Sequence, residues 1–255
     1  MNEFGGALRE WRTRRRLSQL ELALRAGTTQ RHVSFMESGR STPGRGMVVR
    51  VAESLQLPLR ERNALLLAAG YAPSYPETGL GDPALRPMLD SLRRLLDGHL
   101  PYPAIVVDRF SDLVATNDAF ALLTEGVAAE LLEPPVNVLR VALHPRGMAP
   151  RIRNFDEWAQ HVLERPRQEM ARAPHERHTA MLEELAGYLP HPPRPGAEHL
   201  GFAVPMRLES RLGELRLITA ITTFATAVDV TISELRLETF LPADSPTAVA
   251  LGAPQ

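Results

Sequence analysis

The stretch from residue 17 to residue 39, LSQLELALRAGTTQRHVSFMESG, limits what this chain can fold into more than any other part of it. Ser18 is placed to cap one short helix and Thr29 a second, because their side-chain oxygens can accept hydrogen bonds from the unpaired amides of a first turn. Gly27 between them suits a tight turn. The stretch therefore predicts two short helices joined by a glycine-bearing turn.

Both predicted helices are amphipathic. Leu20, Ala23 and Leu24 form an apolar stripe on the first helix. Val33 and Met36 recur at helical spacing on the second, and we expect them to face inward. The outer side of the second helix is then left to Gln30, Arg31, Ser34 and Phe35. An exposed glutamine and arginine at the start of such a helix can meet base edges in the major groove of duplex DNA.

A basic loop follows the second helix. The helix is expected to end at residues 37–39, and the loop over residues 40–46 carries Arg40 and Arg45 with little apolar content. Arginines on an exposed loop suit contact with DNA phosphates. The alternative interpretation is an ordinary helical hairpin over residues 17–39 whose charges are only solvated.

The motifs LSQxELAxxAG, TTQ and MExGRxxP in this stretch resemble the lambda-repressor/Cro-like helix-turn-helix domain of the xenobiotic-response-element family, over residues 5–70. The resemblance implies an all-α DNA-binding domain in which an ion pair between Arg12 and Glu37 joins the first and third helices. Phe35 departs from the polar residue often found at its position, so contact there would be apolar, against a thymine methyl. The implied DNA-binding set is Gln19 on a phosphate, Gln30, Arg31 and Phe35 in the major groove, Thr29 and Ser34 beside them, and Arg40 and Arg45 on the backbone or in the adjacent minor groove.

Charge separates the chain into two parts. Residues 1–70 hold 12 arginines and six glutamates, a net charge of +6, whereas residues 71–255 hold 17 arginines and 24 acidic residues, a net charge of −7. A basic first part localises contact with a polyanion there. The chain has no cysteine, which excludes disulfides and thiolate zinc sites. Since neither a signal-peptide pattern nor a membrane-length apolar run is evident, we expect a soluble cytoplasmic protein with no membrane partner.

The predicted domain boundaries fall where helical periodicity stops. Besides the two helices described above, residues 1–70 show helical patterns over 4–15, 45–55 and 59–69. Residues 71–83 are rich in proline and glycine and are predicted to be a linker. A second domain is predicted over 84–241, and residues 242–255 are predicted to form a flexible tail.

Helical and strand patterns are both present in the second domain. They predict an α+β architecture in which one five-stranded antiparallel sheet carries helices on one face. Helices are expected over 84–97, 117–124, 136–143, 155–172 and 176–189, and strands over 104–108, 113–116, 201–208, 214–224 and 228–240. A slip in the alternation between Ile232 and Leu235 suggests a bulge in the last strand.

Four segments of this second domain, PAIVVDRFSDLVATNDAF, PPVNVLRVALHP, NFDEWAQHVLERPRQE and GELRLITAITTF, resemble the ligand-binding domain of MmyB-like transcription regulators, over residues 84–241. Such domains are PAS-like. The resemblance implies a sensor attached to the DNA-binding domain, with an apolar small molecule, such as a fatty acid, as its ligand.

The sequence shows no signature of an enzyme. A nucleophile elbow, a phosphate-binding loop, a dinucleotide fingerprint and an HExxH motif are all missing, so we expect no catalytic activity and no cofactor. The segment His175-Glu176-Arg177-His178 has one residue too few between its histidines for a zincin site and is interpreted as a surface helix. Asp108, Asp112 and Asp118 are explained by turn chemistry.

A group of polar residues between the predicted strands could orient the head group of a ligand within an apolar pocket. Arginine can bind a carboxylate through two parallel hydrogen bonds. The candidate ligand-binding residues are Asn137, Arg140, His144, Arg153, Asn154 and Trp158. The alternative assigns these residues to helix caps, surface ion pairs and, for Trp158, core packing. Met148, Met170, Met181 and Met206 are further candidates for an adaptable pocket wall, with core packing as the alternative.

These observations predict a sequence-specific DNA-binding transcription regulator that acts as a homodimer on a two-fold related operator and responds to a small molecule. In one alternative, the second domain is a dimerisation or protein-interaction module without a ligand. In another, it is an enzyme acting on acyl substrates. The three hypotheses differ in whether the second domain holds a cavity, and in whether a ligand there is turned over.

Overall fold

The structure, a computed structural model, describes residues 3–189 and 204–252. Contacts divide the chain into two units. One comprises Met1–Leu80 with Ala225–Ser233, and the other comprises Gly81–Phe224 with Glu234–Gln255. Residues 71–80, most of the predicted linker, therefore belong to the first unit, as does a short segment from far along the chain.

Five helices form most of the first unit: α1 (Glu3–Arg14), α2 (Gln19–Arg25), α3 (Gln30–Glu37), α4 (Arg45–Ser54) and α5 (Leu59–Ala68). Their bounds lie within one or two residues of the predicted ones, because each end carries a local signal. Their core consists of fully buried apolar side chains, among them Phe4, Leu8, Leu22, Val33, Met36, Leu55, Leu65 and Leu66.

The helix-turn-helix forms as its capping residues predict. The Ser18 side chain accepts from the Glu21 amide while Glu21 bonds back to the Ser18 amide, a reciprocal cap on α2. Thr29 caps α3 by accepting from the His32 amide. Gly27 adopts a φ of 61° in the turn, which suits glycine.

The predicted apolar stripe on α2 is corrected by the structure. Ala23 is buried, but Leu20 and Leu24 are 51% and 72% exposed. The seven-residue helix packs through Leu22 and Ala23, and its C-cap residue Ala26 is also buried, so Leu20 and Leu24 lie on the solvent side. In contrast, Val33 and Met36 face the core as predicted.

The second unit combines a sheet with helices in the part of the chain that the structure describes. Five of its helices come before β3 in the sequence: α6 (Arg86–Asp97), α7 (Phe120–Leu123), α8 (Val138–Leu143), α9 (Phe155–Arg172) and α10 (Glu176–Ala186). The strands are β1 (Ala104–Val107), β2 (Leu113–Thr116), β3 (Met206–Ser210), β4 (Gly213–Thr223) and β5 (Arg236–Pro242). Two short helices flank β5, namely α11 (Val230–Ser233), which belongs to the first unit, and α12 (Ser245–Ala250).

Within the described residues, the sheet has five antiparallel strands in the order β2-β1-β5-β4-β3, as predicted in number and direction. Helices cover it on more than one face, contrary to the prediction. Every residue of β1 is buried. Ile105 and Val107 belong to the core cluster that includes α8 and α9 residues, whereas α6 also contacts β1 and β2. Since successive strand residues point to opposite faces, Ala104 and Val106 face away from that cluster.

The predicted strand over 228–240 is wrong in its first half. Residues Val230–Ser233 form the helix α11, in which Asp229 Oδ1 accepts from the Ile232 amide at 3.2 Å. The apolar alternation there reflects burial of Val230 and Ile232 in the first unit and not in the sheet. Of the strand predicted over 201–208, residues 201–203 lie outside the described residues.

The predicted flexible tail over 242–255 is also corrected. Residues Ser245–Ala250 form α12, which Asp244 caps by accepting from the Thr247 amide. Thr247 and Leu251 are buried. The Thr247 hydroxyl accepts from the Arg216 amide at 3.0 Å, which ties the tail to β4.

Candidate nucleic-acid interface and ligand cavity

The first turn of α3 presents two of the residues that sequence analysis assigned to DNA. Gln30 and Arg31 are exposed, and Ser34 lies half-buried one turn later. Thr29, also assigned, is occupied as the cap of α3 and is exposed. Side chains in such positions on a recognition helix can reach base edges.

Phe35 carries two arginines against its ring. The guanidinium of Arg31 lies 5.1 Å from the ring centroid and that of Arg40 lies 5.9 Å from it. Phe35 itself is half-buried. These cation–π contacts join the start of α3 to the basic loop that follows it.

An ion pair links α1 to α3 as the resemblance implied. Arg12 donates to both carboxylate oxygens of Glu37, at 2.6 and 3.1 Å, and its remaining nitrogen donates to the Leu17 carbonyl at 2.7 Å. Gln19 Nε2 donates to the same carboxylate at 2.8 Å. The side chain of Gln19, assigned to a phosphate, is therefore part of this buried network.

Arg45 is exposed at the first position of α4. Its Nη2 donates to the hydroxyl of Ser74 at 2.8 Å. Arg40, the second arginine assigned to the DNA backbone, is also exposed. Both guanidinium groups are therefore on the surface of the first unit.

The second unit contains a cavity of about 250 Å³ between the sheet and the helices. Its wall is mostly apolar and comes from both. The apolar lining residues include Ile105, Phe120, Leu123, Leu139, Val141, Met148, Trp158, Val162, Met206 and Phe240. An apolar body of a small molecule could be held there by burial of its surface.

Polar side chains also line this cavity. They are His161, Glu164, Arg165 and Gln168 of α9, Thr219 of β4 and Glu238 of β5. Arg165 Nη2 donates to Glu238 Oε1 at 2.7 Å. Arg165 Nη1 is buried without a hydrogen-bond partner in residues 3–189 and 204–252. It lies 3.7 Å from Glu169 Oε1, with which it forms an ion pair.

Arg236 gives the Glu238 carboxylate a second basic neighbour. Its Nε lies 3.9 Å from Glu238 Oε1, and its Nη1 lies 3.4 Å from a carboxylate oxygen of Glu169. Burial, and then the positive charge of Arg165, lower the pKa of the Arg236 guanidinium. If an acceptor on a ligand engaged Arg165, Glu238 would keep a basic neighbour.

Of the six residues proposed to contact a ligand, the structure places Trp158 in the cavity wall. Asn137 instead caps α8 and donates to the Phe110 carbonyl at 2.8 Å. Asn154 donates to the Pro205 carbonyl and accepts from the Arg207 amide. Those two asparagines tie loops to neighbouring elements, which is the alternative that sequence analysis left open.

The other three proposed residues also lie outside the cavity wall. Arg140 makes two hydrogen bonds to Glu184, at 2.5 and 2.7 Å. His144 accepts from the Arg146 amide and packs edge-on against Tyr188. Arg153 is exposed and pairs with Glu209 and Glu214.

Sequence analysis missed the polar residues at the cavity, although a signal for them existed. Trp158, His161, Arg165 and Gln168 follow one another at spacings of three, four and three along α9. That spacing places them on one face of a helix. A search for polar residues sharing a face with the buried tryptophan would have found them.

The pair of Arg140 and Glu184 predicts how stability responds to acid. Hydrogen bonding from Arg140 lowers the pKa of Glu184 below its usual 4.5. A carboxyl whose pKa is lowered by folding stabilises the fold above its unfolded-state pKa and loses that contribution as the pH falls through the folded-state value. We expect Arg140→Gln to lower the urea midpoint at neutral pH and to flatten its fall between about pH 5 and pH 3.

The control for that titration is Arg146→Gln, since Arg146 pairs with Glu130 at a more exposed position. Its urea midpoint should follow the pH as the unmodified protein does. Equal acid dependence in the unmodified protein and in Arg140→Gln would contradict this assignment.

The histidine and aspartate motifs have structural roles. His178, predicted to lie on a surface helix, is buried, and its Nε2 contacts the Arg109 carbonyl at 2.9 Å. His175 caps α10. Asp108 accepts from the amides of Phe110 and Asp112, as expected of a turn residue. Within the described ranges, no group of three or more histidine, aspartate or glutamate side chains is placed to hold a metal ion.

Comparison with known families identifies both units. The profile described as MmyB-like transcription regulator ligand binding domain matches residues 88–253, and a helix-turn-helix profile matches residues 8–62. The first match covers more than half of the chain, so the chain belongs to the MmyB-like transcription regulators. No helix in the described part of the chain is long and apolar enough to cross a membrane.

Two curated proteins show where similarity is concentrated. An uncharacterized HTH-type transcriptional regulator of Bacillus subtilis, RghRB, is 35% identical over 78 residues, which are 30% of this chain and 54% of RghRB. An uncharacterized HTH-type transcriptional regulator of Sinorhizobium fredii, y4dL, is 44% identical over 52 residues, 20% of this chain and 26% of y4dL. The chain thus spans about half of one relative and a quarter of the other.

Proposed function

We propose that the protein is a sequence-specific DNA-binding transcription regulator that responds to a small molecule held in the cavity of the second unit. The observation that carries this proposal is the cavity of about 250 Å³ within a unit that belongs to a ligand-binding family. A ligand there would act through a difference in affinity between DNA-competent and DNA-incompetent arrangements of the protein.

The wall of the cavity indicates the chemistry of the ligand. Its apolar lining favours an apolar body, and the Arg165 guanidinium in the wall favours a hydrogen-bond acceptor at one end. A carboxylate is the acceptor that guanidinium groups bind best. A fatty acid or a similar amphipathic molecule has both features. The volume is near the lower end of ligand pockets, so a long chain would extend out of the cavity.

On DNA, the exposed residues of the first unit divide into two roles. Arg31 at the start of α3 is proposed to read bases, whereas Arg40 in the basic loop contacts phosphates. We expect Arg31→Ala to relax sequence preference, with a loss of about 1–3 kcal/mol on the preferred site and little on others. Arg40→Ala should weaken binding on all sequences about equally and reduce the dependence on salt by about one unit of slope.

Those two substitutions are tested on duplexes selected from a random pool by the unmodified protein, with affinities measured at several salt concentrations. Exposed Arg93, on α6 of the second unit, provides a control as Arg93→Ala. If Arg31→Ala and Arg40→Ala both bind the selected duplex as Arg93→Ala does, the DNA-contact assignment is wrong.

We further propose that the protein binds DNA as a homodimer. Helix-turn-helix proteins that recognise two-fold related sites place one recognition helix in each half-site. Sedimentation equilibrium of the protein with and without the selected duplex tests this proposal. A complex mass equal to that of the duplex plus two 28.2 kDa chains supports it. A single chain per duplex at saturating concentration contradicts it.

The ligand is tested by native mass spectrometry of the purified protein, followed by denaturation and identification of what is released. A stoichiometric apolar adduct with a terminal acceptor supports the proposal. A protein that carries and binds no such molecule would favour an interaction module, and conversion of an added molecule would favour an enzyme.

A further inference from the structure

One segment of the chain connects two strands of the sheet in sequence but packs in the first unit. Residues 225–233 connect β4 to β5, the strands on either side of them in sequence. By its contacts, however, Ala225–Ser233 belongs to the unit of Met1–Leu80, which contains the helix-turn-helix.

Specific contacts hold this segment in the first unit. The carboxylate oxygen Oδ2 of Asp229 accepts from the amide of Thr78 at 3.1 Å and from its hydroxyl at 2.6 Å. The amide of Val230 donates to the Pro76 carbonyl at 2.8 Å. Val230 and Ile232 are 0% and 7% exposed. The segment is therefore both hydrogen-bonded and packed through apolar side chains.

The stretch that receives these contacts is itself fixed to the helical bundle. Asn63 on α5 accepts from the amides of Ser74 and Tyr75 and donates to the Tyr75 carbonyl, at 2.7–3.1 Å. Asn63 is buried. The hydroxyl of Ser74 in turn accepts from Arg45, one of the arginines assigned to DNA. A continuous set of contacts thus runs from Asp229 to Arg45.

At its two ends, the segment continues into strands that line the cavity. Ile218, Thr219 and Ile221 of β4 and Glu238 and Phe240 of β5 are in the cavity wall. Ile221 precedes the segment by four positions in the sequence. β4 and β5 are paired as far as Thr223 and Arg236. A displacement of this strand pair therefore reaches the segment through the covalent chain.

We propose that Thr78 and Asp229 are positioning residues that couple the cavity to DNA binding. They hold residues 225–233 to the stretch that orients Arg45, so that occupancy of the cavity alters the phosphate contacts of the first unit. This proposal rests on the function proposed above. It requires that each arrangement of β4 and β5 bind DNA differently, since a ligand shifts an equilibrium only through differential affinity.

The absence of cysteine from the chain allows occupancy to be imposed chemically. Thr219 is exposed and lines the cavity, so Thr219→Cys can be joined by a disulfide to a dodecyl chain with dodecyl methanethiosulfonate. Reaction of the same thiol with methyl methanethiosulfonate, which forms a methyl disulfide and releases methanesulfinate, controls for the disulfide. Thr222→Cys, on the same strand and outside the cavity wall, controls for a dodecyl chain placed elsewhere.

The readout is affinity for the duplex selected by the unmodified protein, at constant salt. We expect the dodecyl chain on Thr219→Cys to change the dissociation constant at least fivefold, and on Thr222→Cys less than twofold. In combination with Thr78→Val or Asp229→Asn, the change on Thr219→Cys should fall below twofold, whereas Thr78→Ser, which retains the hydroxyl, should preserve it.

Two results would overturn the coupling. One is an equal effect of the dodecyl chain with and without Thr78→Val and Asp229→Asn, each checked for cooperative unfolding. The other is no effect of the chain on DNA affinity at all. Both differ from failure of the proposed function, in which the unmodified protein selects no DNA sequence or carries and binds no ligand.

Discussion

Replacing Arg12 by methionine is expected to destabilise the first unit by about 3–5 kcal/mol, because it leaves a buried carboxylate without its charged partner. The side chain of Glu37 is only 5% exposed, and that of Arg12 only 14%. Gln19 would remain as a neutral donor to Glu37. The substitution also removes the bond from α1 to α3, so DNA binding should be lost together with protection of the α3 amides.

Hydrogen exchange of residues 3–80 and urea unfolding measure the effect. Arg14→Met is the matched control, because Arg14 pairs with Glu10 at an exposed position on the same helix and should cost less than about 1 kcal/mol. The double change of Arg12 and Glu37 to methionine should recover much of the stability, since no charge is left buried. Equal stability of Arg12→Met and Arg14→Met would contradict this account of the network.

Replacing Arg165 by methionine is expected to weaken binding of an acceptor-bearing ligand by tenfold to a hundredfold, from the loss of a charge-assisted hydrogen bond of about 1.5–3 kcal/mol. The fold should also lose stability, because Glu238, which is 8% exposed, loses its closest donor. Dodecanoate and the molecule recovered from the protein serve as probes, measured by calorimetry.

A second substitution separates these two effects. Adding Glu238→Gln to Arg165→Met should restore stability, because the buried charge is gone, but not ligand affinity. Arg167→Met, on the same helix but outside the cavity wall, should bind as the unmodified protein does. Equal affinity of Arg165→Met and Arg167→Met for dodecanoate or for the recovered ligand would exclude the proposed head-group contact.

The first unit was predictable because its signals are local. Ser18, Gly27 and Thr29 each act on residues within one turn, and the core positions Val33 and Met36 follow helical spacing. The prediction failed for Leu20 and Leu24, whose exposure depends on which neighbouring helices α2 contacts. Tertiary packing determines which face of α2 is buried, and the periodicity of a seven-residue helix is too short to predict it.

The second unit shows the corresponding limit. Alternating apolar residues gave the number and direction of the strands, but Val230 and Ile232 alternate with polar neighbours because they are buried in the other unit. The cavity combines residues far apart in sequence, such as Arg165 and Glu238. Local spacing could place Trp158 and Arg165 on one helix face. Glu238 joins them in the cavity wall only because β5 pairs with β1 and β4 in the sheet.

The central claim, that a small molecule in the second unit controls DNA binding, is tested most directly by one affinity measurement on a single preparation. Affinity for the selected duplex is measured before and after removal of apolar molecules on a hydrophobic resin, and again after the extract is returned. We predict a change of at least fivefold that the extract reverses. Identical affinities in all three samples, when the extract contains a stoichiometric bound molecule, would contradict control by the ligand.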